Sequence, residues 1–436
     1  MLYRIPVILA VMFAAATIHV MAAEAVADFD RNAGRVGCVQ WRNGDAAAPV
    51  PVVMPGVGDS LRLVFDLLAP DGRDESWMPY LRCRVRHKDA DWRDDGLIDS
   101  EFVEGFNVSD VGYGESSVPG MTTVMYRNYS VTVPPDGMRL SASGNYVLEV
   151  FEDGEPEKVI ISAPFSVAEG SVTIGGSVTG RADADWNGVS QQLEIEIGNQ
   201  GLDRRVSMDD LRVDILQNGS EFTRRTMRNP SFVSGGRAVY SHRPELMFKG
   251  GNEYRRMETV SRRSPGMHVA EISWEEGLYH EVLLTDQSRC GAEYSYDLTQ
   301  GGEFTIREAD ESMTVPSDTE ADYTVVHFAL EGAGIMPPDM VFVDGALTGR
   351  KADDASAMEY DAESGVWHKA LLLKQGAYDY RYLVRRADTG ETGCSATEGD
   401  HHQTQNVYAV YVYYRVPGER TDRLAGARVI KSLANR

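Results

Sequence analysis

Basic residues are scarce in this chain: 43 Lys and Arg stand against 66 Asp and Glu, and the formal net charge is -23. A protein that binds a phosphate backbone needs a basic stripe that displaces counterions, and the sequence offers no such stripe. The composition therefore excludes nucleic acid as a partner. An acidic balance of this size favours a chain that stays soluble in a crowded compartment.

Long apolar runs are missing after the N-terminus, so we expect no membrane-spanning helix in the mature chain. The one apolar run is Ile5 to Met21, which follows Arg4 and precedes the small residues Ala23 and Ala25. This run is short, and no stop-transfer pattern follows it. Residues 1–25 are therefore predicted to be a secretory signal peptide, and the mature protein is predicted to be exported.

Cysteine is rare as well. Cys38, Cys83, Cys290 and Cys394 lie far apart and form no C-x-x-C motif, so thiol exchange and structural zinc are poorly supported. Export permits disulfides, and the sequence does not choose among the possible pairings. A bridge between Cys38 and Cys83 is weakly preferred because both fall in the same predicted domain. The alternation around Cys83 is equally compatible with a buried free thiol.

The sequence contains no familiar catalytic pattern. It has no G-x-S-x-G elbow, no H-E-x-x-H and no phosphate-cradling Gly loop. A nucleophile needs a base within hydrogen-bonding reach, and no such pair is suggested. Glycosidase carboxylates stay open as an alternative, since any acidic chain supplies candidates. We therefore expect no catalytic residues and no cofactor.

Strict alternation of apolar and polar residues is abundant. It runs through Leu81–Arg86, Leu193–Ile197, Leu211–Ile215 and, with aromatics, Tyr378–Tyr382. Alternation at period two is typical of strands with one face on a core and one face in water. Short strands with frequent turns predict an all-β protein built of tandem immunoglobulin-like or early-set β-sandwiches.

The mature chain is too long for one ordinary core and suits about three domains. Composition shifts near residues 168 and 310 place the boundaries. The sequence therefore predicts an N-terminal sandwich over 26–168, a second over 169–310 and a third, early-set-like sandwich over 311–436. We expect few contacts between them.

One segment matches a calcium loop. Asp183, Asp185, Asn187, Gly188 and Glu194 fit the pattern D-x-[DN]-x-[DN]-G-x5-E. Helices should flank such a loop, whereas Glu194 falls in a predicted strand. An acidic turn without metal is therefore the preferred interpretation, and calcium binding is the alternative.

Two other segments also have a structural and a functional interpretation. His401 and His402 could ligate a metal, but adjacent strand residues point to opposite faces, so we expect a solvated loop. The strand Val407–Tyr414 is apolar on both faces, which predicts a central, covered strand. A docking surface is the alternative for that strand.

Several longer sequence segments, in order along the chain, resemble the corresponding segments of one protein family. They are residues 87–92, 101–107, 134–139, 143–148, 150–154, 215–219, 250–255, 398–402, 413–418 and 422–426. Together they resemble the type IX secretion system plug proteins over nearly the whole mature chain. Residues 341–345, 365–367 and 376–382 also resemble the early-set sandwich shared with glycogen-binding modules. Trp367 is the candidate sugar platform there, although packing in the sheet is the more common role at that position.

The resemblance implies a non-enzymatic protein that occludes the periplasmic side of a large outer-membrane translocon barrel. It implies a periplasmic location, with peripheral association to the outer membrane through that barrel. A periplasmic glycan-binding β-sandwich protein is the alternative. Trp92 and Phe106 are the guessed contact residues, because aromatic side chains dominate interface energies. Packing inside the first sandwich is the other role open to both.

Overall fold

The computed structural model describes residues 36–54, 61–70, 77–112, 122–183, 185, 188–309, 317–332 and 334–432. The predicted signal peptide lies outside the described residues. Strands dominate the described chain, whose α-helices are four residues long. The all-β prediction is confirmed. No described helix has the length and apolar character that a bilayer crossing requires.

The first core lies between two sheets formed by the N-terminal third of the described chain. Its elements are β1 (Val36–Asn43), β2 (Ala46–Ala47), β3 (Val52–Val53), β4 (Leu61–Leu68), β5 (Leu81–Lys88), α1 (Asp99–Phe102), β6 (Val103–Gly105), β7 (Ser109–Asp110), β8 (Tyr126–Val133), β9 (Met138–Leu140), β10 (Gly144–Glu152) and β11 (Val159–Val167). The sheet β2-β1-β4-β8 packs on the sheet β3-β11-β10-β5-β7. Burial alternates along β5, as its sequence pattern predicts.

The second group of strands follows directly. It comprises β12 (Val172–Thr179), β13 (Ser190–Asn199), β14 (Arg212–Gln217), β15 (Arg225–Met227), β16 (Phe232–Ser234), β17 (Arg237–Tyr240) and β18 (Met247–Lys249). The sheet β12-β13-β17-β16, with β18 also paired to β13, covers one side of a second core.

The third group forms a separate core. It comprises β19 (Arg255–Glu258), β20 (Val269–Glu275), β21 (Leu278–Leu283), β22 (Phe304–Ile306), α2 (Ser317–Glu320), β23 (Tyr323–Glu331), β24 (Met340–Asp344), β25 (Glu359–Asp361), β26 (Val366–Lys374), β27 (Gly376–Arg385), β28 (Thr392–Gly393) and α3 (Ser395–Glu398). The sheet β20-β21-β23-β26-β25 faces a sheet centred on β27.

The last two strands, β29 (Val407–Tyr414) and β30 (Arg423–Lys431), return to the second core. They complete the sheet β15-β14-β29-β30, in which β29 lies between β14 and β30. Most side chains of β29 are buried. The prediction of a central, covered strand is confirmed.

This return of the chain corrects the predicted ranges 169–310 and 311–436. The second core combines strands before residue 250 with strands after residue 406, and the third core is inserted between them. A cut near 310 would also divide one sheet of the third core, because β21 pairs with β23. Period-two alternation identifies strands but carries no information on which strands pair, so the cut was misplaced.

The expectation of few contacts between the sandwiches is also wrong. Between the first and third cores, Lys374 Nζ lies 2.6 Å from the Asp66 carboxylate, and both side chains are almost fully buried. Asp66 accepts two further hydrogen bonds, from Asn128 and from the Tyr323 hydroxyl. Nearer the edge of this junction, Arg42 pairs with Asp318 at 2.5 Å. A buried charge needs a partner and hydrogen bonds, so these residues fix the two cores together.

The first and second cores meet along β29 and the turn that follows it. The Tyr413 hydroxyl donates to Asn145 Oδ1 at 2.9 Å, and Thr421 Oγ1 donates to Asp95 Oδ2 at 2.7 Å. Tyr413 and Leu424 also form a small apolar cluster with Ala90 and Ala168, which belong to the N-terminal part of the chain that builds the first core. The three cores therefore form one interlocked body.

Candidate functional site

Two large concave features of the described residues lie where the three cores meet. A cleft of about 700 Å³ is lined by Trp41 and Phe165 of the first core, Phe222 and Tyr411 of the second, and Arg350 of the third. A neighbouring cavity of about 770 Å³ shares part of this lining. Clefts of this size, with largely apolar walls, are where proteins commonly hold ligands or partners.

Two carboxylates of this cleft are held in ion pairs. Glu303 lies 2.5 Å from Arg350, and Glu221 lies 2.7 Å from Arg224. Burial opposes charge on Arg350, but the adjacent Glu303 keeps the pKa of the guanidinium above its usual value. General acid–base catalysis needs a titratable group near its working pH and within reach of a substrate. The paired carboxylates of the cleft suit a packing or binding surface better.

Trp92 lies on the wall of the same cleft. It occupies a tight turn after β5 with a φ of 63°, and its backbone N–H donates to the Asp89 carbonyl at 3.0 Å. Asp91, the residue before it, pairs with Arg212 of the second core at 2.6 Å. The half-buried Trp92 side chain therefore lies at a junction between cores.

Phe106 is in the opposite environment, since 86% of its side chain is exposed on the turn between β6 and β7. The next residue, Asn107, accepts from Val85 N–H and donates to Val85 C=O, both at 2.9 Å. Gly105 has a φ of 105°, and a Cβ there would lie 2.3 Å from the Gly137 carbonyl oxygen. These contacts fix the backbone on both sides, so Phe106 is presented to solvent from an ordered turn.

The apolar character of this turn extends beyond one side chain. Val108 is 44% exposed in the same turn, and Ile98 is 65% exposed directly before α1, eight residues before Phe106 in the chain. Exposed apolar side chains concentrated in one segment are typical of interaction surfaces. We call Phe106 and Val108 the apolar turn.

The described part of the calcium-loop pattern is occupied by hydrogen bonds within the chain. The Asp183 carboxylate accepts from Gln192 Nε2 at 2.6 Å and lies 2.9 Å from His242 Nδ1. Glu194 is exposed on β13, and Asn187 lies outside the described residues. Among the side chains that the structure places, no group of three or more His, Cys, Asp or Glu is arranged to hold a metal ion.

The two adjacent histidines do not form the solvated loop expected from the sequence. His402 Nδ1 lies 2.8 Å from the Gly188 carbonyl oxygen, and the His401 ring packs against Tyr294 at a centroid distance of 5.6 Å. Both side chains are half-buried in the segment that returns to the second core. A Cβ at Gly250 would lie 2.1 Å from the His401 carbonyl oxygen, so glycine makes room for this close packing.

All four cysteines are free thiols. Cys83 is fully buried in the first core, and burial raises the pKa of its thiol to about 12. Cys38 packs against the third core instead. The weakly preferred bridge between Cys38 and Cys83 is therefore wrong, because the strand that carries Cys38 contributes to a junction.

The aromatic residues of the third core do not form a flat row within the described chain. Trp367 is buried, and its Nε1 donates to the Ile335 carbonyl at 3.1 Å, so the expected packing role is confirmed. Trp274 is exposed, but its ring meets that of Tyr279 at 68°. A flat sugar platform needs coplanar exposed rings, and these two are edge to face.

Comparisons with known proteins bear on the first core and on the whole chain. A family model described as the type 9 secretion system plug protein 1st domain matches residues 36–169, the segment that builds the first core. The crystal structure of a hypothetical protein from Parabacteroides merdae is 33% identical with a TM-score of 0.85, and the match covers 91% of this chain and 97% of that one.

Another solved structure, of manganese lipoxygenase from Gaeumannomyces graminis with part of zonadhesin from Komagataella pastoris, is 8% identical over 91% of this chain and 93% of that one. A TM-score of 0.14 does not indicate a shared fold. No curated protein matches the chain. With the plug-domain match, the segment that builds the first core, residues 36–169, belongs to the family of type 9 secretion system plug protein first domains.

Proposed function

We propose that this protein is a non-enzymatic plug that occludes the periplasmic side of the outer-membrane barrel of the type IX secretion translocon. The observation that carries the proposal is the match of residues 36–169 to the plug domain. The secretory leader expected over residues 1–25 fits a periplasmic location, and association with the outer membrane would then depend on the barrel.

The arrangement of the cores supports a blocking role. β-barrels with 16–18 strands already leave an aqueous channel, so a larger barrel needs an obstruction that does not deform. A compact body of about 400 residues has a radius of gyration of about 21 Å, which is broad enough to cover such an opening. The buried pair Asp66–Lys374 and the contact between Tyr413 and Asn145 make the body stiff.

The apolar turn is the preferred contact with the barrel. Phe106 is 86% exposed, and the paired hydrogen bonds of Asn107 fix the backbone beside it, so little loop entropy is lost when the side chain enters a pocket. Trp92 is the second candidate, through the cleft that it lines. Neither contact requires a chemical reaction.

Permeability of the outer membrane tests the proposal. A strain that lacks this protein should admit a small hydrophilic antibiotic faster than the parent strain, and the effect should disappear when the barrel is deleted as well. Secretion of cargo should suffer less than on loss of the barrel, because a plug blocks a path without supplying it. Equal leakage with and without the barrel would contradict the plug function, and a growth defect on a polysaccharide alone would favour the glycan-binding alternative.

A further inference from the structure

The outer face of one third-core sheet carries two histidines in direct contact. His280 lies on β21 and His327 on the neighbouring parallel strand β23. Their nitrogens, His280 Nδ1 and His327 Nε2, are 2.9 Å apart. Neither side chain belongs to the cleft or to the apolar turn.

The ring geometry aims the two nitrogens at each other. The ring planes differ by 22°, and the centroids are 5.2 Å apart. That separation is accounted for by the 2.9 Å between the nitrogens plus the two ring radii, so the nitrogens lie close to the line joining the ring centres. One ring therefore donates its proton into the lone pair of the other.

We propose that His280 Nδ1 and His327 Nε2 bind one divalent transition-metal ion such as Zn²⁺, and that the proton between them moves to the other nitrogen of the ring that carries it. Neutral imidazole is a common ligand for Zn²⁺, Ni²⁺ and Cu²⁺. Zn–N bonds of about 2.0–2.1 Å at a tetrahedral angle place two ligand nitrogens about 3.3 Å apart. Because the two nitrogens point at each other, each ring has to turn by about 35° toward a shared ion while the nitrogens separate by about 0.4 Å. Changes in side-chain torsion supply both movements without moving the strands.

The environment leaves the remaining coordination positions open. Both histidines are half-buried, so the strands hold the rings while solvent reaches the site. The described residues offer no third His, Cys, Asp or Glu that completes a group of three. Water or a donor from another molecule completes the coordination, so we expect binding weaker than at a closed structural zinc site. The nearby exposed Glu275 contributes a favourable negative charge.

Titration of Zn²⁺ into the full mature protein, purified without a polyhistidine tag, tests the proposal by calorimetry. We expect one saturable site, at least tenfold weaker in His280→Gln and in His327→Gln. The variant His368→Gln is the matched control, since His368 is exposed on β26 of the same sheet. It should bind like the parent protein.

Thermal unfolding supplies a second measurement that does not depend on the heat of binding. A ligand that binds only the folded state raises the midpoint of unfolding by mass action, so Zn²⁺ should stabilise the parent and His368→Gln but neither site variant. The absence of saturable binding, or an equal loss of affinity in all three variants, would overturn the proposal. Circular dichroism of each variant separates loss of the site from loss of the fold.

Discussion

Glu281 lies on β21 with its carboxyl group in the third core, and its side chain is fully buried. Neither carboxylate oxygen has a well-formed hydrogen bond within the described chain, and the nearby Thr324 hydroxyl only partly offsets the effect of burial. Burial disfavours the ionised form and raises the pKa of Glu281 to about 7. Such a group makes the stability of the protein depend on pH.

The folded protein holds the Glu281 proton more tightly than the unfolded chain, whose glutamates have an ordinary pKa near 4.5. The stability that Glu281 contributes is therefore fully present below about pH 4.5 and is lost as the pH rises through about 7. The difference in the free energy of unfolding is about 3 kcal/mol for this group. Urea unfolding at pH 5 and pH 8 should detect it.

Glu281→Gln should remove most of that pH dependence, while Glu275→Gln on the exposed edge of the same sheet should leave it unchanged. Asp379, whose pKa burial raises to about 6, acts in the same direction in all three proteins and cancels in the comparison. A parent protein equally stable at both pH values would mean that Glu281 has a solvent path or a partner.

Phe106 is the single residue on which the proposed docking most depends. Phe106→Asp should weaken association with the translocon barrel at least tenfold, because a desolvated aromatic anchor is replaced by a charge. The free energy of unfolding of this variant should differ from that of the parent protein by less than about 0.5 kcal/mol, since the Phe106 side chain is exposed in the free protein. Co-purification from solubilised outer membranes measures the association.

Phe232→Asp is the matched control for that experiment, because Phe232 is 55% exposed on β16, far along the chain from the apolar turn. It should co-purify like the parent protein. Unchanged association of Phe106→Asp would move the contact elsewhere, with the cleft around Trp92 as the next candidate.

At the scale of elements, the return of β29 and β30 to the second core has a consequence for proteolysis. A specific protease site placed directly after the exposed Arg307 would leave β14 and β21 in one fragment, and their partners β29 and β23 in the other. We expect the two fragments to co-elute in native size-exclusion chromatography and to separate only in denaturant.

A cleavage site after Gly170 is the control, because the first core is built from a continuous stretch of chain that ends just before it. The fragments from that cut are joined by side-chain contacts and by the backbone hydrogen bond from Glu169 N–H to Leu424 C=O, but they share no sheet among the described strands. They should therefore separate at a lower urea concentration. Separation of the Arg307 fragments without denaturant would contradict the strand pairing between β14 and β29.

At the scale of the whole molecule, the buried pair Asp66–Lys374 joins the first core to the third. Lys374→Met should lower the free energy of unfolding by about 3–5 kcal/mol, because it leaves Asp66 charged or protonated without its partner in a dry junction. The double variant Asp66→Asn, Lys374→Met should recover much of this loss. Urea unfolding of the single and double variants measures both effects.

The exposed pair Lys158–Glu155 supplies the control for that comparison. Lys158→Met should leave the free energy of unfolding almost unchanged, since solvent screens exposed ion pairs. Similar effects at Lys374 and Lys158 would mean that water enters the junction and that the cores are not rigidly joined.

Local periodicity determined much of this protein from the sequence alone. The alternation in Leu81–Arg86 and Leu193–Ile197 specified strands with one buried face, and the two-sided apolar pattern of Val407–Tyr414 specified a covered strand. These properties follow from the period of the strand, which every short segment carries within itself. The sequence segments shared with the plug family could likewise be recognised locally, because each is a short continuous stretch of chain.

Only the tertiary structure decided which strands pair and which charges meet. The pairing of β14 with β29 spans a whole inserted core, and Asp66 and Lys374 are 308 positions apart. Trp92 and Phe106 were equal candidates by sequence, yet one lines a junction and the other is held outward by Asn107. Such outcomes depend on the sum of long-range contacts, and a period of two residues fixes the face of a side chain without fixing its partner.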